Sequence, residues 1–391
     1  MLSTQQLRRR YSAEQTLIIL LCRLYFKKAL LLDVQKYLED TDIDWTLFYK
    51  SAQLNSIRGF LYDIIETFDL KIDYSVLNML KAAASTIQQK NLYQLKITRE
   101  LARDFQVHNI HALSYKGAFF ATSYYKKPFL RESSDIDFLV SQRDVIKAIE
   151  YFKEHNYHHK YDIPTKYLGY VMKNCRDLSF KTPGHFSGLS CSVEIQWSLV
   201  ESHFNAFPGY DFFSGNFKKR DGTDVPGLNE TYDFICVSSH HLLKEPLFKF
   251  KYLVDLACIV NTAGERLDFE KIEDLYLKLG YERFLYAGSA ALTDILGIQF
   301  GTSPQVEAFY AIFLADKNAH LPMVNRLQLF KTFIKNQSLR QNFVFMIKVI
   351  RSVARPNISD LLLNLPPRLV PLLFIIRPVR LMNKYIIKLL T

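Results

Sequence analysis

No uncharged apolar run in this 391-residue chain approaches the roughly 20 residues needed to span a bilayer, so a helical membrane protein is not its default class. Cysteine is scarce and scattered: Cys22, Cys175, Cys191, Cys236 and Cys258 form no C-x-x-C pair. That spacing excludes a zinc knuckle and a disulfide framework, and it predicts buried, reduced thiols and a cytoplasmic location. No internal repeat and no low-complexity segment is present, which removes solenoids and disordered tracts. No basic patch is interleaved with aromatics on one regular element, so nucleic-acid binding has little support. A secretory signal is missing too. Residues 16–32 are apolar, but Arg23, Lys27 and Lys28 interrupt them at helical spacing and no small-residue cleavage site follows; the stretch reads as an amphipathic helix.

Apolar content is ample, at 49 % hydrophobic with 30 Phe, so the chain can bury a sizeable core rather than stay disordered. The length fits about two to three domains, or one core with helical additions. Residues 1–90 read as a helical region, with apolar positions spaced by three and four. A helix over 91–107 then leads into a mixed core ending near 225, where Pro208, Gly209, Gly215, Gly222, Pro226 and Gly227 mark a loop-rich boundary at 203–230. Helices return over 226–350. A basic, proline-containing apolar tail fills 351–391. Its charge is one-sided: from Leu361 onward the last 31 residues carry five basic residues and no acid, part of a net charge of +11. Such a tail either docks on the protein's own helices or lies on an anionic membrane interface as a peripheral contact. Prolines at 366, 367, 371 and 378 break a long interfacial helix and favour docking.

The chemistry is concentrated in Lys116-Gly117-Ala118 and Arg131-Glu132-Ser133-Ser134-Asp135-Ile136-Asp137-Phe138-Leu139-Val140. Residues 109–115 read as a short strand running into a glycine turn, and 118–125 as a helix stopped before Pro128. A strand, a glycine turn and a helix N-terminus leave backbone N–H groups free for an anion. In a strand, alternate side chains share a face, so Asp135 and Asp137 project together while Ile136 and Phe138 face a core. Paired carboxylates repel unless a cation lies between them, and hard oxygen ligands suit Mg²⁺ with substrate phosphates. Asp40, Asp42 and Asp44 alternate as well, but Asp44 reads as a helix N-cap, and Asp268 and Glu270 likewise open another helix, where negative charge complements the dipole. A further alternating segment, 189–199, holds one acid, Glu194, placed to add a third carboxylate from a neighbouring strand.

This plan resembles the DNA polymerase β-like nucleotidyltransferase superfamily. The wording Lys-Gly … Arg … Ser-Asp-Ile-Asp-Phe-Leu-Val, then Val-Glu-Ile-Gln-Trp, then His-His … Lys-x-x-x-Asp-Leu is similar to its branch of uncharacterised bacterial nucleotidyltransferases, over about residues 30–320. The resemblance implies an α+β fold: a small mixed β-sheet core with helices, flanked by N-terminal and C-terminal helical regions. It implies transfer of NMP from an NTP such as ATP to an unidentified acceptor hydroxyl, with pyrophosphate leaving. Asp135, Asp137 and Glu194 would be catalytic and hold a two-ion Mg²⁺ site, and Lys116, Gly117 and Arg131 would bind phosphate. Two positions depart from the pattern: Ala118 replaces a hydroxyl-bearing residue or a second glycine, and Gln196 stands where the branch has His.

Four residues of the second helical part have plainer readings. Lys251 and Asp255, four apart, read as an ion pair on one helix face, and His240 and His241 as structural. The resemblance would instead place that helix near the nucleotide or acceptor. Trp197 reads as core rather than a stacking platform. Two alternatives stand beside the transferase: a non-catalytic nucleotide-binding relative, favoured by Ala118 and Gln196, and a sugar-nucleotide glycosyltransferase using Asp-x-Asp. The latter folds place a nucleotide-binding βα half before that motif, whereas residues 1–107 read as helical.

Overall fold

A computed structural model describes residues 1–161, 163–183, 190–201, 204, 207–219, 225–301, 339–363, 365–377 and 379–380. Its centre is a five-stranded mixed sheet in the order β1-β2-β5-β4-β3, with β1 Ala112–Ser114, β2 Asp135–Val140, β3 His158–His159, β4 Asp177–Lys181 and β5 Ser192–Gln196. β2 and β5 run parallel; the other neighbours are antiparallel. Alternation decides which face is which. Ile136, Phe138, Val193, Ile195, Leu178 and Phe180 fill one apolar cluster, while the intervening Asp135, Asp137, Glu194, Gln196 and Asp177 share the opposite face.

Helices supply the rest. Before β1 come α1 Thr4–Arg10, α2 Ala13–Tyr25, α3 Leu31–Asp40, α4 Trp45–Leu54, α5 Arg58–Thr67 and α6 Tyr74–Val107. Between the strands lie α7 Gly117–Tyr124, α8 Val145–Glu154 and α9 Leu168–Asn174; after β5 come α10 Tyr210–Phe213, α11 Glu230–Ser238, α12 Phe250–Ala263, α13 Phe269–Leu279, α14 Glu282–Ala291, α15 Leu339–Ala354 and α16 Ile358–Leu361. The architecture is α+β, as the resemblance implied. Phe105 of α6 meets Phe138 edge-on at 5.2 Å, and Phe152 of α8 stacks on Phe180 at 4.7 Å, so these helices cap the apolar side of the sheet.

Asp44 and Asp268 accept the Leu47 and Lys271 backbone N–H groups at 2.9 Å, so both act as N-caps, as expected of Asp44. Trp197 is buried, with its indole N–H on the Met172 carbonyl at 2.9 Å. The helix expected from 91 is the second half of α6, which runs unbroken across residue 90. Residues 16–32 are not one amphipathic helix. α2 ends at Tyr25, Lys27 takes a left-handed φ of 57° just beyond it, and residues 14–24 are buried all round. Helices from both ends of the chain enclose α2 in one core, and Arg23 is satisfied internally by the Ile295 and Asp294 carbonyls at 2.6 and 3.0 Å. The loop-rich 203–230 stretch includes α10 and a small hairpin, Phe217–Lys219 against Pro226–Leu228; Gly222 lies outside the described residues.

Much of the basic tail is docked. Asp360, almost fully buried, pairs with Arg377 at 3.0 Å and Arg380 at 2.7 Å, and Leu361 and Leu373 join the cluster under the sheet. The Tyr170 hydroxyl donates to the Pro356 carbonyl at 3.1 Å, and that of Tyr167 to Leu365. The end of the tail, with Leu389 and Leu390, lies outside the described residues. Among the described residues, no helix is long and apolar enough to cross a membrane.

Candidate active site

The site is built around the corner between β1 and α7. Gly117 adopts φ +68°, and a Cβ there would stand 3.1 Å from the Asp135 carbonyl oxygen. The glycine thus meets two needs, a left-handed backbone and close passage past the start of β2. Gly117→Ala should therefore cost about 1–3 kcal/mol in urea unfolding; an unchanged midpoint would show that the corner is not tight. Among the described residues, no side chain caps the first turn of α7, which leaves its N–H groups to another acceptor. Lys116 precedes it, nearly buried. Burial lowers its pKa, against an opposing pull from Asp137.

β2 carries the aspartates from this corner along the polar face, and the parallel register sets Asp137 directly beside Glu194 on β5. Asp135 is half-buried and Asp137 almost wholly so. Burial, then the charge of Asp135, pushes Asp137 up to about 6; burial, then Asp137, pushes Glu194 up to about 7. Both hold their protons more tightly than ordinary carboxylates. Gln196 joins them: its amide nitrogen donates to Asp137 Oδ1 at 2.6 Å and Glu194 Oε2 at 3.1 Å. Its carbonyl accepts from the Tyr115 hydroxyl at 2.6 Å and Arg176 Nη1 at 3.1 Å, which fixes the amide's orientation. A neutral amide that donates to both acids fits this position, whereas protonation of an imidazole would add charge.

The three acids thus lie on one face, two of them linked through Gln196. Among the described residues, no three His, Cys, Asp or Glu side chains stand arranged to hold a metal ion. The donor chemistry nevertheless suits a hard cation: buried carboxylate oxygens that repel one another.

Arg131 stands elsewhere than expected. Its guanidinium is buried, held bidentately by Asp255 at 2.9 and 3.0 Å, with Nη1 donating to the Gly117 carbonyl at 3.1 Å. It braces the corner from behind rather than facing an open phosphate position. Asp255 also accepts from the Tyr125 hydroxyl at 2.6 Å and meets His241 Nε2 at 2.9 Å. The expected Lys251–Asp255 pair is replaced: the Lys251 ammonium donates to the Glu132 carbonyl at 2.6 Å. Burial lowers the pKa of Lys251 to about 8 and that of His240 well below its usual value. His240 and His241 lie in a π-helical turn, Ser239–Lys244, a backbone irregularity frequent at functional sites. Arg176 and Tyr115 escaped the sequence reading. Tyr115 is adjacent to Lys116, and Arg176 immediately precedes β4; neither belongs to a motif.

A family model described as an uncharacterised nucleotidyltransferase matches residues 41–297. No curated protein matches the chain.

Proposed function

The chain belongs to this family of uncharacterised nucleotidyltransferases, and from that premise we propose that it moves NMP from an NTP to an acceptor hydroxyl, releasing pyrophosphate. The observation that carries the reading is the register that sets Glu194 beside Asp137 on the face that also holds Asp135, next to the Gly117 corner. The acceptor oxygen attacks the α-phosphorus in line, forming one P–O bond as the bond to the β-phosphate breaks. Lys116 and the N–H groups of the first turn of α7 hold the leaving phosphates. Arg131 positions the corner through the Gly117 carbonyl. Glu194, poised near neutrality, takes the acceptor proton. Asp135 and Asp137 would hold Mg²⁺, which when bound offsets the charge on the phosphate oxygens; where a second, acceptor-side ion binds, Glu194 would complete its site instead of taking the proton. Incubation of the protein with each labelled NTP, Mg²⁺ and a cell extract tests the reading. Labelled acceptor plus pyrophosphate supports it; a nucleoside diphosphate product would point to glycosyl transfer instead.

A non-catalytic nucleotide-binding relative is the second reading, because Gln196 already bridges two of the acids. Stabilisation by NTP and Mg²⁺ without pyrophosphate release would favour it.

The pKa shifts set a pH dependence. Asp137 and Glu194 have folded values above their ordinary 3.8 and 4.5, so the fold binds their protons more tightly than an unfolded chain does. Their contribution to stability is therefore largest at low pH and is lost as pH rises from about 4 through 6 to 7. A divalent cation needs the ionised forms. Mg²⁺ should then raise the melting temperature more at pH 8 than at pH 5, measured by thermal shift. An equal rise at both values would mean that these acids do not bind the ion.

A further inference from the structure

A cleft of about 430 Å³ opens at the start of β4, and among the described residues its walls include Arg176, Asp177, Glu201, Lys244, Asn357 and Ser359. We propose that this cleft is the acceptor subsite, that it takes a neutral, hydroxyl-rich small molecule of the sugar or polyol class, and that the C-terminal segment around α16 completes it. The inference rests on the nucleotidyltransferase reading and names the substrate class for it.

Position comes first. Arg176 is shared, since the guanidinium that lines the cleft also donates to Gln196, the amide bound to Asp137 and Glu194. The strand order β1-β2-β5-β4 places the Gly117 corner at the β1–β2 side, the acids on β2 and β5, and Asp177 at the start of β4. In-line displacement needs the attacking and leaving oxygens on opposite sides of the phosphorus. With pyrophosphate held at the corner, the acceptor must approach from the β4 side, where the cleft lies. Its hydroxyl oxygen bonds to the α-phosphorus, the bond to the β-phosphate breaks, and the hydroxyl proton goes to Glu194, as in the reaction above.

Charge then narrows the class. Arg176 and Lys244 supply two positive charges; Asp177 and Glu201 supply two negative ones, so the walls sum to zero. They are already paired: Arg176 with Asp177 and, at 3.7 Å, with Glu201, and Lys244 with Glu201 at 3.6 Å. A polyphosphate backbone would meet as much repulsion as attraction. Hydroxyl groups, which donate and accept, can bond to both members of each pair without breaking it. The walls, polar at these pairs and apolar at Tyr161 and Ile358, and the volume suit a small ligand, because pockets for such molecules begin near about 300 Å³.

The C-terminal wall is the unexpected part. Asn357 and Ser359 lie beyond residue 297, where the family match ends. Asp360, clamped by Arg377 and Arg380, fixes this wall in place, and Asn357 accepts the Asp360 N–H to order the turn. Acceptor choice therefore depends on sequence outside the matched region.

Saturation-transfer NMR of the full chain with a panel of neutral methyl hexosides, beside a short oligonucleotide, tests the assignment directly. The unaltered protein should show transfer to at least one hexoside and none to the oligonucleotide. Ser359→Trp, which fills the cleft, should weaken hexoside binding by about tenfold or more, as overfilled packing excludes the ligand. Lys244→Ala, which removes one polar partner, should weaken it about threefold to tenfold; circular dichroism checks that each variant is folded. In turnover, the ratio of hexoside labelled to pyrophosphate released should fall in both variants. Absence of hexoside binding, or binding unchanged in both folded variants, overturns the cleft assignment. Binding that is lost as expected, from a protein that never releases pyrophosphate with any NTP, overturns the transferase reading and leaves the cleft standing.

Discussion

Asp137→Asn should lower pyrophosphate release by on the order of a thousandfold while the protein melts at the same or a higher temperature. The two effects have one cause. Asp137 is buried beside Asp135 and Glu194, and its pKa is raised because ionisation there is costly. That cost is borne in the free protein so that charge is available for a cation and a phosphate. A neutral amide removes the repulsion and keeps an oxygen to accept from Gln196, whose amide nitrogen lies 2.6 Å from Oδ1. Activity is lost and stability is retained or gained, the trade expected at a strained functional site. Pyrophosphate release by the variant at wild-type rates would remove Asp137 from the chemistry. A melting temperature well below wild type would recast it as a structural group.

Asp255→Ala should be the most damaging single change to stability, by about 3–5 kcal/mol in urea unfolding, because it leaves a buried charge without its partner. Asp255 is fully buried and serves Arg131, Tyr125 and His241 at once. Burial opposes ionisation there, but the Arg131 guanidinium, then the hydrogen bond with His241, hold the Asp255 carboxyl far below the ordinary range. Without it, the Arg131 guanidinium remains buried with the Gly117 carbonyl at 3.1 Å and the face of the Phe120 ring at 5.0 Å, neither of which carries a balancing charge. Replacing both partners, Arg131→Met with Asp255→Leu, should recover much of the loss, since apolar side chains need no partner in such a place. If the double variant is as unstable as the single one, the deficit comes from packing or from Tyr125 and His241 rather than from an orphaned charge.

What was legible in the sequence is what local pattern controls. Asp135 to Phe138 alternates, and so does the segment around Glu194; at these positions the polar and apolar faces follow from that period alone. Gly117 could be read because a single residue met a backbone requirement. Arg131 could not, because its partner lies 124 residues along the chain and nothing local distinguishes a guanidinium bound for phosphate from one bound for a buried carboxylate. The alternative pairing of Lys251 with Asp255 was plausible by spacing and lost to longer-range partners. The segment after residue 16 misled for a related reason: three basic residues at helical intervals suggest a wet face, yet Arg23 finds carbonyls some 270 residues away in sequence. Tertiary enclosure, not periodicity, decided its environment.

Helix α6 has a mechanical consequence. It covers 34 residues, about 50 Å at 1.5 Å per residue, and its buried Asn91 grips the Pro128 and Arg131 carbonyls at 2.6 and 2.8 Å. Its first half packs among the N-terminal helices through Val76 and Leu80, and its far end lies under the sheet through Leu101 and Phe105. It is a strut spanning the two groups of elements, pinned at mid-length to the loop that enters the acid strand. The loop that leads into the acid strand is therefore held from the long helix as well as from the sheet, so the carboxylates take their footing from helices that never touch them.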